Sequence, residues 1–163
     1  NVRQVREWPI IQRVLDARTW IPVRDGDRVE STTSTAVIAD AVVACAKNPA
    51  SRLLNVADAD PQPARRLAAL VARAAGADLQ QVDVDLTCPT PIGLLPWNQD
   101  NILDTSALHQ LGVQPATFAD TIQHEVEWVT ALAARGRDRG WRLPPWLQID
   151  TPDYHSEERC RPV

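Results

Sequence analysis

The run Arg6-Glu7-Trp8-Pro9-Ile10-Ile11-Gln12-Arg13-Val14-Leu15-Asp16-Ala17-Arg18, followed at once by Trp20-Ile21-Pro22-Val23-Arg24-Asp25-Gly26, constrains this chain more than any other feature. Pro9 suits the first turn of a helix, where its missing N–H is not needed. Ile10, Ile11, Val14 and Leu15 then recur at helical spacing and predict a helix to about Ala17. Trp20 to Val23 is short and apolar enough for a strand, and Asp25-Gly26 is a turn pair. Arg28 to Thr33 is β-branched enough to return as a second strand, so the stretch predicts a hairpin.

The α and β signals keep alternating. Val37, Ile38, Ala41, Val42 and Cys45 share one helical face up to Lys47, and Asn48-Pro49 stops that helix. Leu53 to Val56 is a compact strand candidate. Asp58-Ala59-Asp60-Pro61 predicts a turn that sets carboxylates beside the start of the next helix, where free N–H groups favour negative charge. That helix carries Leu67, Leu70, Val71 and Ala74 inward and ends at Gly76. Val82 and Val84 alternate with Asp83 and Asp85 as a half-buried strand.

From Leu86 to Asn101, Pro89, Pro91, Gly93 and Pro96 preclude long regular structure, so Leu94, Leu95 and Trp97 are expected on an ordered covering loop. Asp104-Thr105-Ser106 caps a short helix ending at Leu111-Gly112, and Thr117 with Asp120 resembles a capping box. The last long helix is expected from Phe118 to about Ala134, with Ile122, Val126, Val129 and Ala133 as its apolar stripe. Beyond Gly136 the chain is rich in Arg, Pro and Trp without a period. The reading is an α/β chain, an α+β-like lobe with a small mixed sheet and packed helices over residues 1–135, and an extended aromatic, Pro-rich tail over 136–163.

Composition narrows the function. With 163 residues, 44% of them hydrophobic, the chain can bury one core. A net charge of −4 and no Lys/Arg run long enough to track phosphates argue against nucleic acid as a partner. Cys45, Cys88 and Cys160 are odd in number, lie far apart and lack CxxC spacing, so neither a disulfide framework nor a zinc site is expected, and a reducing cytoplasm fits best. No stretch approaches the roughly 20 apolar residues of a membrane span. Asp58, Asp60, Asp83 and Asp85 lack the Gly and terminal Glu of a calcium loop, and His109 and His124 have no second ligand at helical spacing, so no metal site is predicted. The absence of any Met, even at position 1, reads as a fragment, a processed chain or an excised domain, with a fragment preferred.

Several of these segments, taken in order, resemble the carboxyl-terminal half of the NAD(P)-dependent epimerases, dehydratases and reductases, the extended short-chain dehydrogenases. The helix from Glu7-Trp8-Pro9 to Arg18 comes first, with Ile21-Pro22-Val23-Arg24-Asp25-Gly26 behind it. Ile38-Ala39-Asp40-Ala41-Val42 is similar to the family's V-A-x-A-V helix, and Leu54-Asn55-Val56-Ala57-Asp58 to its Y-N-V-G strand end. Leu103-Asp104-Thr105-Ser106 with Leu111-Gly112-Val113-Gln114-Pro115 resembles its D-x-S … L-G-Y/W-x-P element, and Glu127-Trp128 closes the register. The match spans roughly Val5 to Leu132.

The resemblance implies an extended Rossmann-type enzyme of which this chain carries only the substrate-binding lobe. NAD or NADP is implied for the complete enzyme, but there is no Gly-rich dinucleotide turn and no Tyr-x-x-x-Lys: the single tyrosine, Tyr154, has Glu158 four residues on. No catalytic or cofactor-binding residue is therefore assigned, and the chain alone is expected to bind no cofactor. Arg6 and Glu7, at the mouth of the first helix, occupy the position implied to meet substrate, and Trp97, Asn98 and Asn101 sit in the loop that resembles the substrate flap. Trp offers an apolar face and the amides can read hydroxyls, which suits a small polar, sugar-like or nucleotide-sugar ligand. Where relatives carry an Arg and an aromatic, this chain reads Ser31-Thr32-Thr33-Ser34-Thr35, and Ala107 replaces a basic residue, which points to a less charged substrate or a decayed site. Expected partners are the missing Rossmann half, another subunit or a homo-oligomer. Trp141, Trp146 and Tyr154 suit an arm docked on such a partner or folded back on the same lobe. The competing reading is a noncatalytic interaction module derived from this family.

Overall fold

Helix α1 (Trp8–Leu15) carries Pro9 in its first turn and turns Trp8, Ile10, Ile11 and Arg13 inward, and Ala17 follows its end in the left-handed region at φ 54°. The computed structural model describes residues 7–85, 88, 99–139 and 152–161, the backbone alone for 136–139. Arg6, Leu94, Leu95, Trp97, Asn98, Trp141 and Trp146, named above, lie outside the described residues.

Strand β1 (Trp20–Val23) is buried at every residue. It pairs in parallel with β4 (Gln80–Asp83), Trp20 opposite Gln80 and Val23 opposite Asp83. Burial on both faces is the usual condition of a parallel strand and explains why no polar residue interrupts β1. The hairpin expected after it does not form. Strand β2 (Val29–Glu30) pairs antiparallel with β3 (Gln62–Pro63) instead, so the described residues carry two two-stranded sheets rather than one mixed sheet. Arg65 is the physical reason: its N–H donates to the Gly26 carbonyl and its guanidinium bonds Asp27 and Asp83, drawing the turn sideways towards the next helix.

Helix α2 (Thr35–Lys47) is capped by the Ser34 hydroxyl, which accepts from the Val37 N–H at 3.3 Å. The face foreseen for it is only partly right, since Val37 and Ala41 are buried while Ile38, Val42 and Val43 are exposed. The helix leans on the lobe along a narrow stripe at i, i+4. Leu53 to Val56 is not a strand: Leu53 is 96% exposed, and the segment is held by side chain–backbone bonds, Thr33 Oγ1 to the Val56 carbonyl and Asn55 Nδ2 to the Asp104 carbonyl.

Helix α3 (Ala64–Ala74) buries Leu67, Ala68, Val71 and Ala72 and ends at Gly76, whose φ of 89° favours glycine. Asp104 accepts from the Ser106 N–H and starts the short α4 (Ser106–Gln110). Thr117 and Asp120 make reciprocal bonds at the start of α5 (Phe118–Arg139), and those bonds hold the Asp120 carboxyl below its usual range. α5 runs past the expected end near Ala134, with Ile122, Val126 and Val129 buried and Ala133 packed beside them.

Two apolar clusters result. One gathers α1, β1, α3 and α5 around Ile10, Ile11, Ile21, Leu67, Val71, Phe118 and Val126; the other joins α2 and α4 through Val37, Ala41, Leu108 and Val113.

The region read as an extended tail contains a helix, α6 (Tyr154–Cys160), and it folds back onto α1. Glu157 and Arg13 form an ion pair with each side chain 1% exposed, and Arg13 also donates to the Pro9 carbonyl at 2.8 Å. Burial pulls the Arg13 guanidinium below its ordinary value, opposed by Glu157. The Tyr154 hydroxyl donates to Asp16 at 2.7 Å, its ring lies under Arg18 at 4.6 Å, and Arg18 pairs with Glu158 nearer the surface. Burial, then the bond to Asp16, pushes the Tyr154 phenol well up, so it stays protonated. Removing one member of a buried pair strands the other charge, so Glu157→Ala should cost about 3–5 kcal/mol in urea unfolding, whereas Glu158→Ala should shift the midpoint far less.

Candidate functional site

The carboxyl ends of parallel strands are where α/β folds hold ligands, because the loops there are free to diverge. Here that edge is formed by Val23 and Asp83, and three segments meet beside it. The first is the turn after β1, in which Asp25 takes φ 51° and Gly26 is pressed so closely that an added Cβ would stand 2.7 Å from Val23 Cγ1 and 3.0 Å from the Arg65 guanidinium carbon. The second is the exit from β4: the Val84 N–H donates to the Val23 carbonyl, the Cys88 N–H to that of Asp85, and Arg24 to the Cys88 carbonyl at 3.2 Å. Arg24 Nε is buried and has no hydrogen-bond partner among the described residues.

The third segment is the return of the chain at Asp100. Val29 donates to the Asp100 carboxylate, Asn101 donates to the Val29 carbonyl, Ser31 donates to the Asn101 carbonyl, and the Leu103 N–H reaches the Ser31 hydroxyl. The loop singled out by its prolines thus leaves beside the end of β1 and comes back beside β2, with both feet fixed by backbone bonds. Of the five candidate substrate residues, Glu7 and Asn101 are described. Glu7 is 7% exposed at the start of α1, and its carbonyl accepts from Ile10 and Ile11. Asn101 bridges Glu30 through its backbone and leaves its side chain exposed.

The hydroxyl run 31–35 is organised from below by Asp58, which is 4% exposed. Its carboxylate accepts from Thr32 Oγ1 at 2.6 Å and from the Ser34 N–H at 3.0 Å, while its own N–H donates to the Thr32 carbonyl at 2.8 Å. Asp60 accepts from the Phe118 N–H at 2.9 Å. These carboxylates were expected at the start of α3; they serve α2 and α5 instead, because Pro63 precedes α3 without a side-chain cap. Asp83 is held by Arg65, His109 is exposed, and His124 is exposed beside Glu127. Among the described residues no group of three or more His, Cys, Asp or Glu is placed to hold a metal, and no helix is long and apolar enough to cross a membrane.

The described residues do not fit a dinucleotide. The glycines with left-handed backbone, Gly76 and Gly112, follow the ends of α3 and α4 rather than opening a helix onto a pyrophosphate, and Gly26 is roofed by Arg65. Sequence reasoning missed Arg13, Arg24 and Glu157. For Arg13 a signal existed, since it sits between Ile10 and Val14 on a face that is otherwise apolar.

With this geometry in place, comparison with solved structures is informative. The chain is similar to UDP-glucuronic acid 4-epimerase from Bacillus cereus in complex with NAD, at a TM-score of 0.59 and 13% identity over 87% of this chain and 41% of that one. It is similar to UDP-N-acetylglucosamine 4-epimerase from Methanobrevibacter ruminantium in complex with UDP-N-acetylmuramic acid, at 0.57 and 18% identity over 77% and 39%. A third, dTDP-glucose 4,6-dehydratase from Bacillus anthracis in complex with NAD, matches at 0.55 and 12% identity over 75% and 38%. What is shared is the fold. The chain spans about two fifths of the length of each of these enzymes. No family model matches the sequence, and neither does any curated protein.

Asp58 is the residue whose loss should most disturb the run of residues 31–35. Asp58→Ala removes two bonds to a carboxylate and leaves the buried Thr32 hydroxyl unmatched, so it should cost roughly 3 kcal/mol in denaturant unfolding and raise hydrogen exchange at the Ser34 amide.

Proposed function

We propose that this chain is the substrate-binding carboxyl-terminal region of an NAD(P)-dependent sugar-nucleotide epimerase, dehydratase or related reductase. The observation that carries the reading is the asymmetry of the match: most of this chain aligns with a minor part of each enzyme. In the complete enzyme the nicotinamide supplies hydride transfer, and a Rossmann half outside these residues supplies the Tyr-x-x-x-Lys pair. The lobe's own work is to cover and select a small polar substrate. Arg6 and Glu7 at the start of α1 and Trp97, Asn98 and Asn101 on the loop with fixed feet are its proposed contacts, the tryptophan by its face and the amides by hydrogen bonds to hydroxyls.

A second reading is supported by one observation. The Thr32 hydroxyl and the Ser34 N–H are engaged internally by Asp58, and the run Ser31-Thr32-Thr33-Ser34-Thr35 carries no cation of its own. A noncatalytic module derived from the same fold accounts for that arrangement. The reading frame upstream of Asn1 separates the two: an encoded Gly-rich turn and Tyr-x-x-x-Lys support the enzyme, and a frame without them supports the module. Calorimetry of this chain with NAD or NADPH should show no binding, and tight binding of either would overturn the assignment to a substrate lobe.

Ile38, Val42 and Val43 leave apolar surface on α2 in the open. We infer that a Rossmann half or a second subunit covers it. Light scattering should then show association that grows with concentration, and a monomer over a wide concentration range would count against a covered face.

A further inference from the structure

The seat of α6 is made of charge rather than apolar surface. Of its seven residues the buried ones are Ser156 and Glu157, both polar, and neither apolar cluster includes a residue of this helix. Glu157 is paired with Arg13, Glu158 with Arg18, and the Tyr154 hydroxyl with Asp16, while Arg13 and Arg18 stand 5.8 and 4.6 Å from the centre of the Tyr154 ring. Arg161 lies over the ring of Trp20 at 5.6 Å. Asp153 caps the helix through the Ser156 N–H at 3.1 Å, and Arg159 donates to the Ser156 hydroxyl at 2.9 Å. A helix this short is not stable on its own, so it persists only while these contacts hold.

We propose that α6 is a proton-released strap, seated on α1 at neutral pH and leaving it in acid while the larger apolar cluster stays folded. Glu157 is the decisive group. A proton on it in the seated state leaves the buried Arg13 guanidinium without its counter-charge, which is far more costly than the net worth of the pair. Departure of α6 returns Arg13 to water and removes that cost, so release is an easier outcome than unfolding of the lobe. Arg13 also donates to the Pro9 carbonyl, in the first turn of α1. Release therefore frees the guanidinium that ties down the turn in which the Glu7 carbonyl accepts from Ile10 and Ile11. On the function proposed above, that turn belongs to the substrate wall, and the strap couples acidity to its shape.

The other carboxyls of the helix act in the same sense. The hydrogen bond from Arg18, with smaller help from Trp20 and Arg161, holds Glu158 below its usual range. The bonds from Ser156, with His155 and Arg159 nearby, do the same for Asp153. Such groups stabilise the seated state above the ordinary carboxylate range, and that contribution is lost as pH falls through their depressed values. Below about pH 4 the seat should weaken roughly tenfold per pH unit for each carboxyl that takes up a proton on release. The Tyr154 phenol, pushed up by burial and then by Asp16, keeps its proton throughout. Asp104 and Asp120 are depressed too, by Ser106 and Thr117, but the helices they cap keep Leu108 and Ile122, Val126 and Val129 as buried apolar anchors.

The test is hydrogen exchange of the full chain from about pH 7 to about pH 3, each rate divided by the intrinsic rate at that pH. The amides of Glu157 and Arg161, which bond the Asp153 and Glu158 carbonyls, should lose protection at a higher pH than those of α3 and α5, and the Ile10 and Ile11 amides should follow them. Arg13→Met together with Glu157→Leu replaces the pair by apolar groups and should keep α6 seated to lower pH. The proposal is overturned by wild-type protein in which α6, α3 and α5 open in one step, a result that needs no variant to fold, or by a folded double variant that releases α6 at the wild-type pH. Ile10 and Ile11 amides that stay protected after α6 opens would overturn the coupling to the wall. Exchange reads the strap alone, so a failure to bind any sugar-like ligand counts against the functional reading and not against this one.

Discussion

A polar seam between two separate apolar clusters is what the rest of this lobe depends on. Neither cluster is large, and they are joined through backbone pairing of β2 with β3, the Ser31–Asn101 and Leu103–Ser31 bonds, and the carboxylates of Asp58 and Asp60. Apolar contact alone sets no register, because it is non-directional. A carboxylate that accepts from Thr32 Oγ1 and the Ser34 N–H does set one, since both donors must arrive at fixed angles. The position of α2 relative to α5 is thus decided by residues 58–60, which bond the starts of both.

That division explains which features could be read from the chain and which could not. The stripes Leu67–Val71 and Ile122–Val126–Val129 were legible because a helix repeats its own geometry, and Thr117 with Asp120 because a cap is local. Pairing is not local. Trp20–Val23 looks like the first arm of a hairpin, yet its partner is Gln80–Asp83, chosen by the parallel crossover and by Arg65, which pins Gly26, Asp27 and Asp83 together. In the same way Asp58 and Asp60 look like caps for α3, and nothing in their neighbourhood indicates that their donors lie at Thr32, Ser34 and Phe118. Of the candidate site, the loop's prolines and Asn101 were visible; the fixed feet at Cys88 and Asp100 arise from tertiary bonds.

The carboxyl-terminal helix is the other long-range feature. Glu157, Glu158 and Tyr154 lie in a region with no apolar period, which is why it reads as an arm. Its anchorage is electrostatic: Arg13, Asp16 and Arg18 occupy the last turn of α1 and its exit, and each meets a complementary group on α6. The buried Arg13–Glu157 pair carries a desolvation cost for both charges, so it confers position more than net stability. A helix seated this way stays only in the one orientation that satisfies both partners.

The charge of the chain has a different meaning in this light. A net −4 invites a search for a cation or a basic partner. Yet Asp16, Asp58, Asp60, Asp83, Asp104, Asp120 and Asp153 all hold hydrogen bonds that cap helices or tie segments together. These seven acids are structural, and Asp58 organises the hydroxyl run above it. Among the described residues the carboxyl edge of β1 and β4 also holds Arg24, partly buried and with no hydrogen-bond partner for its Nε there, between the two feet of the loop.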